Sequence, residues 1–382
     1  MQPEAFTIAI PDHDLADLRE RLARTRLPGD FGNDQGRYGV QQEWLADALA
    51  YWRDEYDWRT VEAEMNRLAH YRVTIDGVPV HFIHHRSRRK NAIPLILSHG
   101  WPWTFWDWRD VIEPLANPAS ASDPAFDVIV PSLPGFGFST PLQTTGLDVA
   151  AIAALWHRLM TQVLGYPKFG AAGGDWGSLI SAQLGHAYPQ DVIGVGLTLP
   201  FVPGESLDAI LARPFPPEEQ WMAERMARTR PTIMSHIAVQ MADPQTLAYA
   251  LADSPAGLAA WLWERRRAWS DPRHDSAARD IHSLCTLASI YWLTNSIGSS
   301  FRIYAEHFSK PWDRLHEGGK VIEVPTAFAI APKELAMAPR AVVAEFANLR
   351  RWTVLERGGH FVPAEAPEEL VGEYRAFFAS LG

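Results

Sequence analysis

One cysteine, Cys285, is present in 382 residues. An intramolecular disulfide is therefore excluded, and the chain fits a reducing compartment. Cys285 lies in the apolar run 284–290, so a buried, inert thiol is expected. No stretch approaches the roughly 18 uninterrupted apolar residues of a membrane span. The start, residues 1–10, lacks the basic segment and apolar run of a signal peptide. These absences make a cytoplasmic location without a membrane anchor the simplest expectation. Basic charge is scarce as well: 35 Lys and Arg stand against 45 Asp and Glu, a net charge of −10. That balance argues against nucleic acid or an anionic membrane as the main partner. The pattern G-x-S-x-G, where a nucleophilic serine would sit, does not occur. His81, His84 and His85 have no acidic or cysteine partners at ligand spacing, so no metal and no cofactor are expected. Repeats and low-complexity tracts are also missing.

What is present is a globular composition, 47% hydrophobic and 21% charged. The length exceeds the roughly 250–300 residues of one ordinary core, which predicts a large domain with an extension and an insertion. Residues 1–70 read as amphipathic helices, with stripes at Leu15, Leu18 and Leu22, at Trp44, Leu45, Leu49 and Trp52, and at Val61, Met65 and Leu68. Residues 71–75 and 78–84, joined by Asp76-Gly77, read as a hairpin with a type I′ turn. Short apolar strands then alternate with helices: strands at 93–97, 126–130, 169–173 and 192–199, helices at 148–164 and 178–188. This alternation predicts a largely parallel sheet buried on both faces. From 201 to 310 it gives way to helical, Trp-rich sequence. Strands return at 321–330 and 352–355, and a helix at 367–381 closes the chain. The expected division is 1–90 for the extension and first hairpin, 91–200 with 311–382 for an α/β core, and 201–310 for a helical lid. Sixteen tryptophans include the clusters Trp101, Trp103, Trp106, Trp108 and Trp261, Trp263, Trp269. Core packing is the default reading; an aromatic-walled pocket for an apolar ligand is the functional one.

Gly173-Gly174-Asp175-Trp176-Gly177 follows a predicted strand and opens a predicted helix. That is the setting of a nucleophile elbow, with Asp175 where a serine usually stands. Alone, the motif also reads as a Gly-rich strand–helix turn with Asp175 as a helix cap. Context favours the nucleophile. Such a triad runs in the order nucleophile, acid, base. Arg357-Gly358-Gly359-His360-Phe361 follows the last strand and supplies a base, His360. Glu334, directly after strand 321–330, is the acid candidate, with Asp313 and Glu323 as alternatives. Ser98-His99-Gly100-Trp101-Pro102 ends an earlier strand, so the backbone N–H groups of Trp101 and Trp176 are expected to form an oxyanion hole. The Trp101–Pro102 bond admits a cis form. An Asp nucleophile is a poor route to ester cleavage because it would give an anhydride. Attack on an sp³ carbon instead gives an alkyl-enzyme ester that activated water can hydrolyse. Epoxides and alkyl halides are the substrates for that attack.

Over nearly its full length the chain resembles the microsomal-type epoxide hydrolases. It is especially similar to bacterial members, including those of natural-product (enediyne-type) biosynthesis. The resemblance rests on residues 6–26, His99-Gly100-Trp101-Pro102, Gly173-Gly174-Asp175-Trp176-Gly177, Asp253-Ser254-Pro255-Ala256-Gly257-Leu258-Ala259-Ala260, Ser299-Ser300-Phe301-Arg302-Ile303-Tyr304 and Arg357-Gly358-Gly359-His360-Phe361. It implies an α/β-hydrolase fold with a mostly parallel eight-stranded sheet, a helical cap and a wrapping N-terminal extension. It also implies roles: Asp175 as nucleophile, His360 as water-activating base, Glu334 as its orienting acid and Tyr304 as ring-opening acid. The family's first cap tyrosine falls at His236, which either donates to the epoxide oxygen in a pH-sensitive way or only packs. His236 and Pro102 are the substrate-binding candidates. The expected partner is an apolar or aromatic epoxide, and the sequence leaves a homodimer open. The rivals are a haloalkane dehalogenase, favoured by Trp176 beside the nucleophile, and a non-catalytic protein of the same fold.

Overall fold

The computed structural model describes residues 2–273 and 279–381. The hairpin forms as its turn dictates. Asp76 and Gly77 both take positive φ, 52° and 81°, as a type I′ turn requires. It joins His70–Ile75 (β2) to Val78–His85 (β3). Ahead of it, Glu4–Phe6 pairs antiparallel with β2 as β1. Residues 1–70 are therefore not wholly helical. Among the described residues the sheet has nine strands instead of the expected eight, in the order β1-β2-β3-β5-β4-β6-β7-β8-β9. Three residues with one partly buried side chain are too few to show a period of two.

The remaining strands are Ile93–Ser98 (β4), Phe126–Pro131 (β5), Phe169–Gly173 (β6), Val192–Leu197 (β7), Ile322–Ile330 (β8) and Ala347–Val354 (β9). From β5 through β4, β6, β7 and β8 to β9 every pairing is parallel. Buried parallel strands need apolar residues on both faces, and β4 and β6 are buried along most or all of their length. β9 begins five residues earlier than its apolar segment suggested. It is an edge strand, and Arg350 and Arg351 hide its first half from a hydrophobic reading.

The extension supplies Asp12–Ala23 (α1), Gln42–Asp54 (α2) and Trp58–Met65 (α3). In the core, Arg109–Ala116 (α4) follows the tryptophan-rich loop. Val149–Arg158 (α5) is capped by the Asp148 side chain and runs into a π-helical turn at Leu159–Val163. Trp176–Ala187 (α6) follows the elbow. Between β7 and β8 lie the cap helices Leu207–Leu211 (α7), Gln220–Ala242 (α8), Pro244–Asp253 (α9), Pro255–Trp269 (α10), Ile281–Leu293 (α11) and Ile297–Phe308 (α12). Arg340–Phe346 (α13), Val362–Glu365 (α14) and Pro367–Ala379 (α15) complete the core. No helix among the described residues is long and apolar enough to cross a membrane. Cys285 is buried on α11, and burial pushes its thiol well up.

The extension clasps the cap. Trp52 Nε1 donates to Ser289 Oγ at 2.9 Å, the Tyr56 hydroxyl meets Thr286 Oγ1 at 3.1 Å, and the rings of Trp44 and Trp52 pack on Trp263. Cap and core are also joined by an ion pair, Arg266 Nη2 to Asp107 Oδ1 at 2.7 Å, with both side chains about 95% buried. Removing one member of such a pair strands the other charge in a low-dielectric interior. Asp107→Ala is expected to cost about 3–5 kcal/mol, read as a lower urea midpoint; an unchanged midpoint would remove the pair from the account of stability.

Candidate active site

Four loops converge at the carboxyl ends of β4, β6, β8 and β9, where open α/β sheets bind their ligands. Asp175 stands at the elbow after β6 with φ 52° and ψ −128°, a region that disfavours residues with a Cβ. Its neighbours must be small. A Cβ on Gly177 would overlap the Ser98 carbonyl, and one on Gly100 would overlap the Asp175 carboxylate itself. That close approach lets the Trp101 N–H donate to Asp175 Oδ1 at 2.8 Å. The other oxygen, Oδ2, lies 3.3 Å from His360 Nε2. His360 Nδ1 bonds Glu334 Oε1 at 2.7 Å, and Glu334 is fully buried. The alternative acids Asp313 and Glu323 are exposed. Burial alone would lower the His360 pKa. The Glu334 charge, the Asp175 carboxylate 3.3 Å from Nε2 and the hydrogen bond to Glu334 outweigh it and raise it to about 10.

The Trp101 N–H is aimed by a residue whose role the sequence did not show. His99 Nε2 accepts from the Leu133 N–H at 3.0 Å, which leaves the proton on Nδ1 to donate to the Gly100 carbonyl at 3.0 Å. That carbonyl and the Trp101 N–H belong to one trans peptide plane and point opposite ways. Burial pushes His99 down to about 4, so the ring is neutral and the arrangement persists through neutral pH. The Trp176 N–H is the first amide of α6, one of those a helix leaves without an internal partner.

The cap brings Tyr304 and His236 over the elbow. Tyr304 on α12 packs edge-on against Trp176, with ring centroids 4.8 Å apart, and against Trp101. Burial, then the Asp175 charge, raises its hydroxyl pKa well above the ordinary value. His236 on α8 stacks on Trp101 at 5.1 Å and meets Tyr304 edge-on at 5.4 Å. Burial, then Arg265 and His360, pushes its pKa well below 6.5. The expected pH sensitivity is therefore corrected: the ring is neutral across the neutral range. Asp175, His360, Tyr304 and His236 together line one cavity of about 550 Å³. Pro102, after the cis Trp101–Pro102 bond, is buried but lies outside the walls of that cavity. Of the two tryptophan clusters only Trp269 reaches the wall; Trp101, Trp103, Trp108 and Trp263 are fully buried. Among the described residues no group of three or more His, Cys, Asp or Glu is placed to hold a metal ion.

Residues 3–108 match the family described as "Epoxide hydrolase N terminus", and residues 93–367 match the "alpha/beta hydrolase fold" family. Epoxide hydrolase 1 of Sus scrofa is 31% identical over 98% of this chain and 88% of its own length. The chain belongs to the epoxide hydrolase family. Solved structures agree: the Aspergillus niger epoxide hydrolase superposes with a TM-score of 0.84 at 27% identity, covering 100% of this chain and 97% of its own. Juvenile hormone epoxide hydrolase from Bombyx mori gives a TM-score of 0.89 at 26% identity, covering 99% and 94%.

This epoxide hydrolase, an enzyme that adds water to an epoxide to give a diol, also has supports that its sequence motifs do not reveal. Arg225 on α8 donates to the carbonyls of Lys333 and Glu334, at 2.8 and 3.3 Å, and so ties the cap to the loop that carries Glu334. The His360 N–H donates to the Trp269 carbonyl at 3.0 Å, which ties the loop that carries His360 to the end of α10. Arg266 lies over the Phe361 ring at 3.8 Å. None of these has a signal in one dimension, since a buried arginine and an exposed one read alike in sequence.

Proposed function

We propose that the epoxide hydrolase works through a covalent ester on Asp175, with Tyr304 as ring-opening acid and His360, held by Glu334, as base. The observation that carries this is the division of labour on one carboxylate. Oδ1 is engaged by the Trp101 N–H while Oδ2 is left to face the cavity and His360 Nε2. Oδ2 attacks a ring carbon, the C–O bond breaks, and Tyr304 gives its proton to the departing oxygen. Tyr304 is reprotonated from His360. Alkylation removes the Asp175 charge that helped hold His360 protonated, so the neutral imidazole, the form that can accept a proton, is favoured when it is needed. His360 then takes a proton from water, and the hydroxide adds to the ester carbon. The oxyanion at Oδ1 is stabilised by the N–H groups of Trp101 and Trp176. Collapse expels the second diol oxygen, which takes the proton from His360, and the regenerated acid returns a proton to His360.

His236 serves as a second, neutral hydrogen-bond donor to the epoxide oxygen. The Tyr304 hydroxyl in the same cavity as Asp175, with its ring edge-on to Trp176, favours an epoxide over an alkyl halide, because an epoxide oxygen leaves as an alkoxide and needs a proton. The apolar inner wall suits an apolar or aromatic epoxide. Placement among the microsomal-type members, and a role in biosynthesis or detoxification, rest on the sequence motifs alone.

A single turnover of excess enzyme with styrene oxide in heavy-oxygen water is expected to give unlabelled diol and labelled Asp175. Label in the first-turnover diol would mean direct attack by water.

A further inference from the structure

The Trp101 N–H is aimed by His99, and His99 is held in turn by the Leu133 N–H at its Nε2. The groups that hold this second amide lie outside the walls of the active-site cavity. Ser132 and Leu133 share one peptide plane, so the Ser132 carbonyl and the Leu133 N–H point opposite ways. The carbonyl accepts from Ser139 Oγ at 2.8 Å, and Ser139 Oγ accepts from the His81 N–H at 2.9 Å. The Ser132 N–H donates to the His81 carbonyl at 2.9 Å, and the Ser132 hydroxyl meets His81 Nδ1 at 2.9 Å. His81, on β3, thus grips Ser132 through both its backbone and its ring. The ring is gripped as well. His81 Nε2 lies 2.9 Å from Nδ1 of His70, on β2. His70 Nε2 lies 2.7 Å from the carbonyl of Met65, the last residue of α3. His70, His81 and Ser132 are all at most 3% exposed.

A carbonyl can only accept, and this orders every proton in the series. His70 Nε2 must carry its proton toward Met65. Burial lowers the pKa of His70 and pushes that of His81 well down, so both rings are neutral. A neutral His70 offers a bare Nδ1, which accepts from His81 Nε2. His81 Nδ1 is then bare and accepts from the Ser132 hydroxyl. Reversing one tautomer would set two donors, or two lone pairs, against each other where water cannot relieve them. Hydrogen bonds and peptide planes thus run unbroken from the Met65 carbonyl to the Trp101 N–H on Asp175 Oδ1.

We propose that the His70–His81 pair positions the oxyanion hole: it fixes the Ser132–Leu133 peptide and, through His99, aims the Trp101 N–H. The amino-terminal extension thereby takes part in catalysis without touching substrate. This rests on the ester reading of Asp175. The Trp101 N–H faces Oδ1, which gains negative charge only when water adds to the ester. A mis-aimed N–H is therefore felt in hydrolysis far more than in alkylation.

The test is a single turnover of styrene oxide, quenched in acid and read as intact mass, so that adduct formation and decay are timed separately. His81→Phe keeps a ring against Phe6 and Phe105 and removes both nitrogens. Adduct decay is expected to slow about 10- to 100-fold, the scale of a displaced oxyanion donor. Adduct formation is expected to change less than about threefold. His81→Asn puts an oxygen where Nδ1 stood, keeps the acceptor for Ser132 and is expected to recover most of the decay rate. In a His99→Phe background, His81→Phe is expected to add little, because both act on one N–H. In the wild-type enzyme, nitrogen NMR of labelled histidine is expected to show His81 protonated on Nε2 and His99 on Nδ1. Equal slowing of both phases, fully additive effects of the two substitutions, or the opposite tautomer at His81 would each overturn the proposal. An adduct whose decay is unaltered in His81→Phe defeats this inference alone. Turnover of styrene oxide with no adduct in any variant defeats the ester reading and this inference with it.

Discussion

A His360→Gln enzyme mixed with styrene oxide is expected to gain the mass of one epoxide and stop there. Alkylation draws on Asp175 and Tyr304, both of which the variant retains. Hydrolysis of the ester needs a base at the position of His360 Nε2, 3.3 Å from Asp175 Oδ2, and glutamine is not one. Steady-state turnover is expected to fall roughly 10⁴- to 10⁶-fold. Intact mass under denaturing conditions reads the adduct directly. An unmodified mass in a variant that still consumes epoxide would take the reaction away from Asp175. The wild-type enzyme carries a related signature in pH. The free enzyme holds His360 protonated up to about 10, with Asp175 contributing. Once Asp175 is a neutral ester that contribution is gone. The hydrolysis rate in stopped-flow is therefore expected to rise with pH and to reach its midpoint below 10, because the neutral imidazole is the reactive form.

Tyr304→Phe acts on the other half of the cycle. The ring stays and can keep its edge-on packing against Trp176 and Trp101, so the melting temperature is expected to change little. The lost hydroxyl is the proposed proton donor, held un-ionised by burial and by the Asp175 charge. Without it the opened oxygen leaves as a bare alkoxide. Ring opening is expected to slow by about 10²- to 10⁴-fold, seen as loss of the rapid adduct phase rather than as adduct accumulation. The two variants thus move in opposite directions on one measurement. Wild-type rates in Tyr304→Phe would leave His236 as the donor that matters.

Much of the site was legible because its residues sit in patterns with a mechanical reason. The glycines around Asp175 mark a turn that tolerates nothing larger, and the glycines before His360 mark a loop crossing to meet it. The alternation of short strands and helices was readable because parallel strands are apolar on both faces. What escaped notice was either too short or too polar. β1 has three residues, and the first half of β9 is masked by arginines at a sheet edge. His99 looked like part of a motif but not like the pin that aims the Trp101 N–H. Asp107 and Arg266 are 159 residues apart and each reads as a surface charge. His70 and His81 are ordinary strand residues until the Met65 carbonyl orders their protons.

The clasp between the extension and the cap sets an order of events at the ribosome. Trp52 meets Ser289 across 237 residues of chain, and Tyr56 meets Thr286 across 230. At about 5–20 residues per second, the first three helices wait roughly 10–50 s for the surface that covers them. During that interval their Leu and Trp stripes face solvent or a chaperone. These helices thus wait for partners made more than two hundred residues later. Until then aggregation and proteolysis act most readily on these three helices, before His360 and Glu334 have been synthesised.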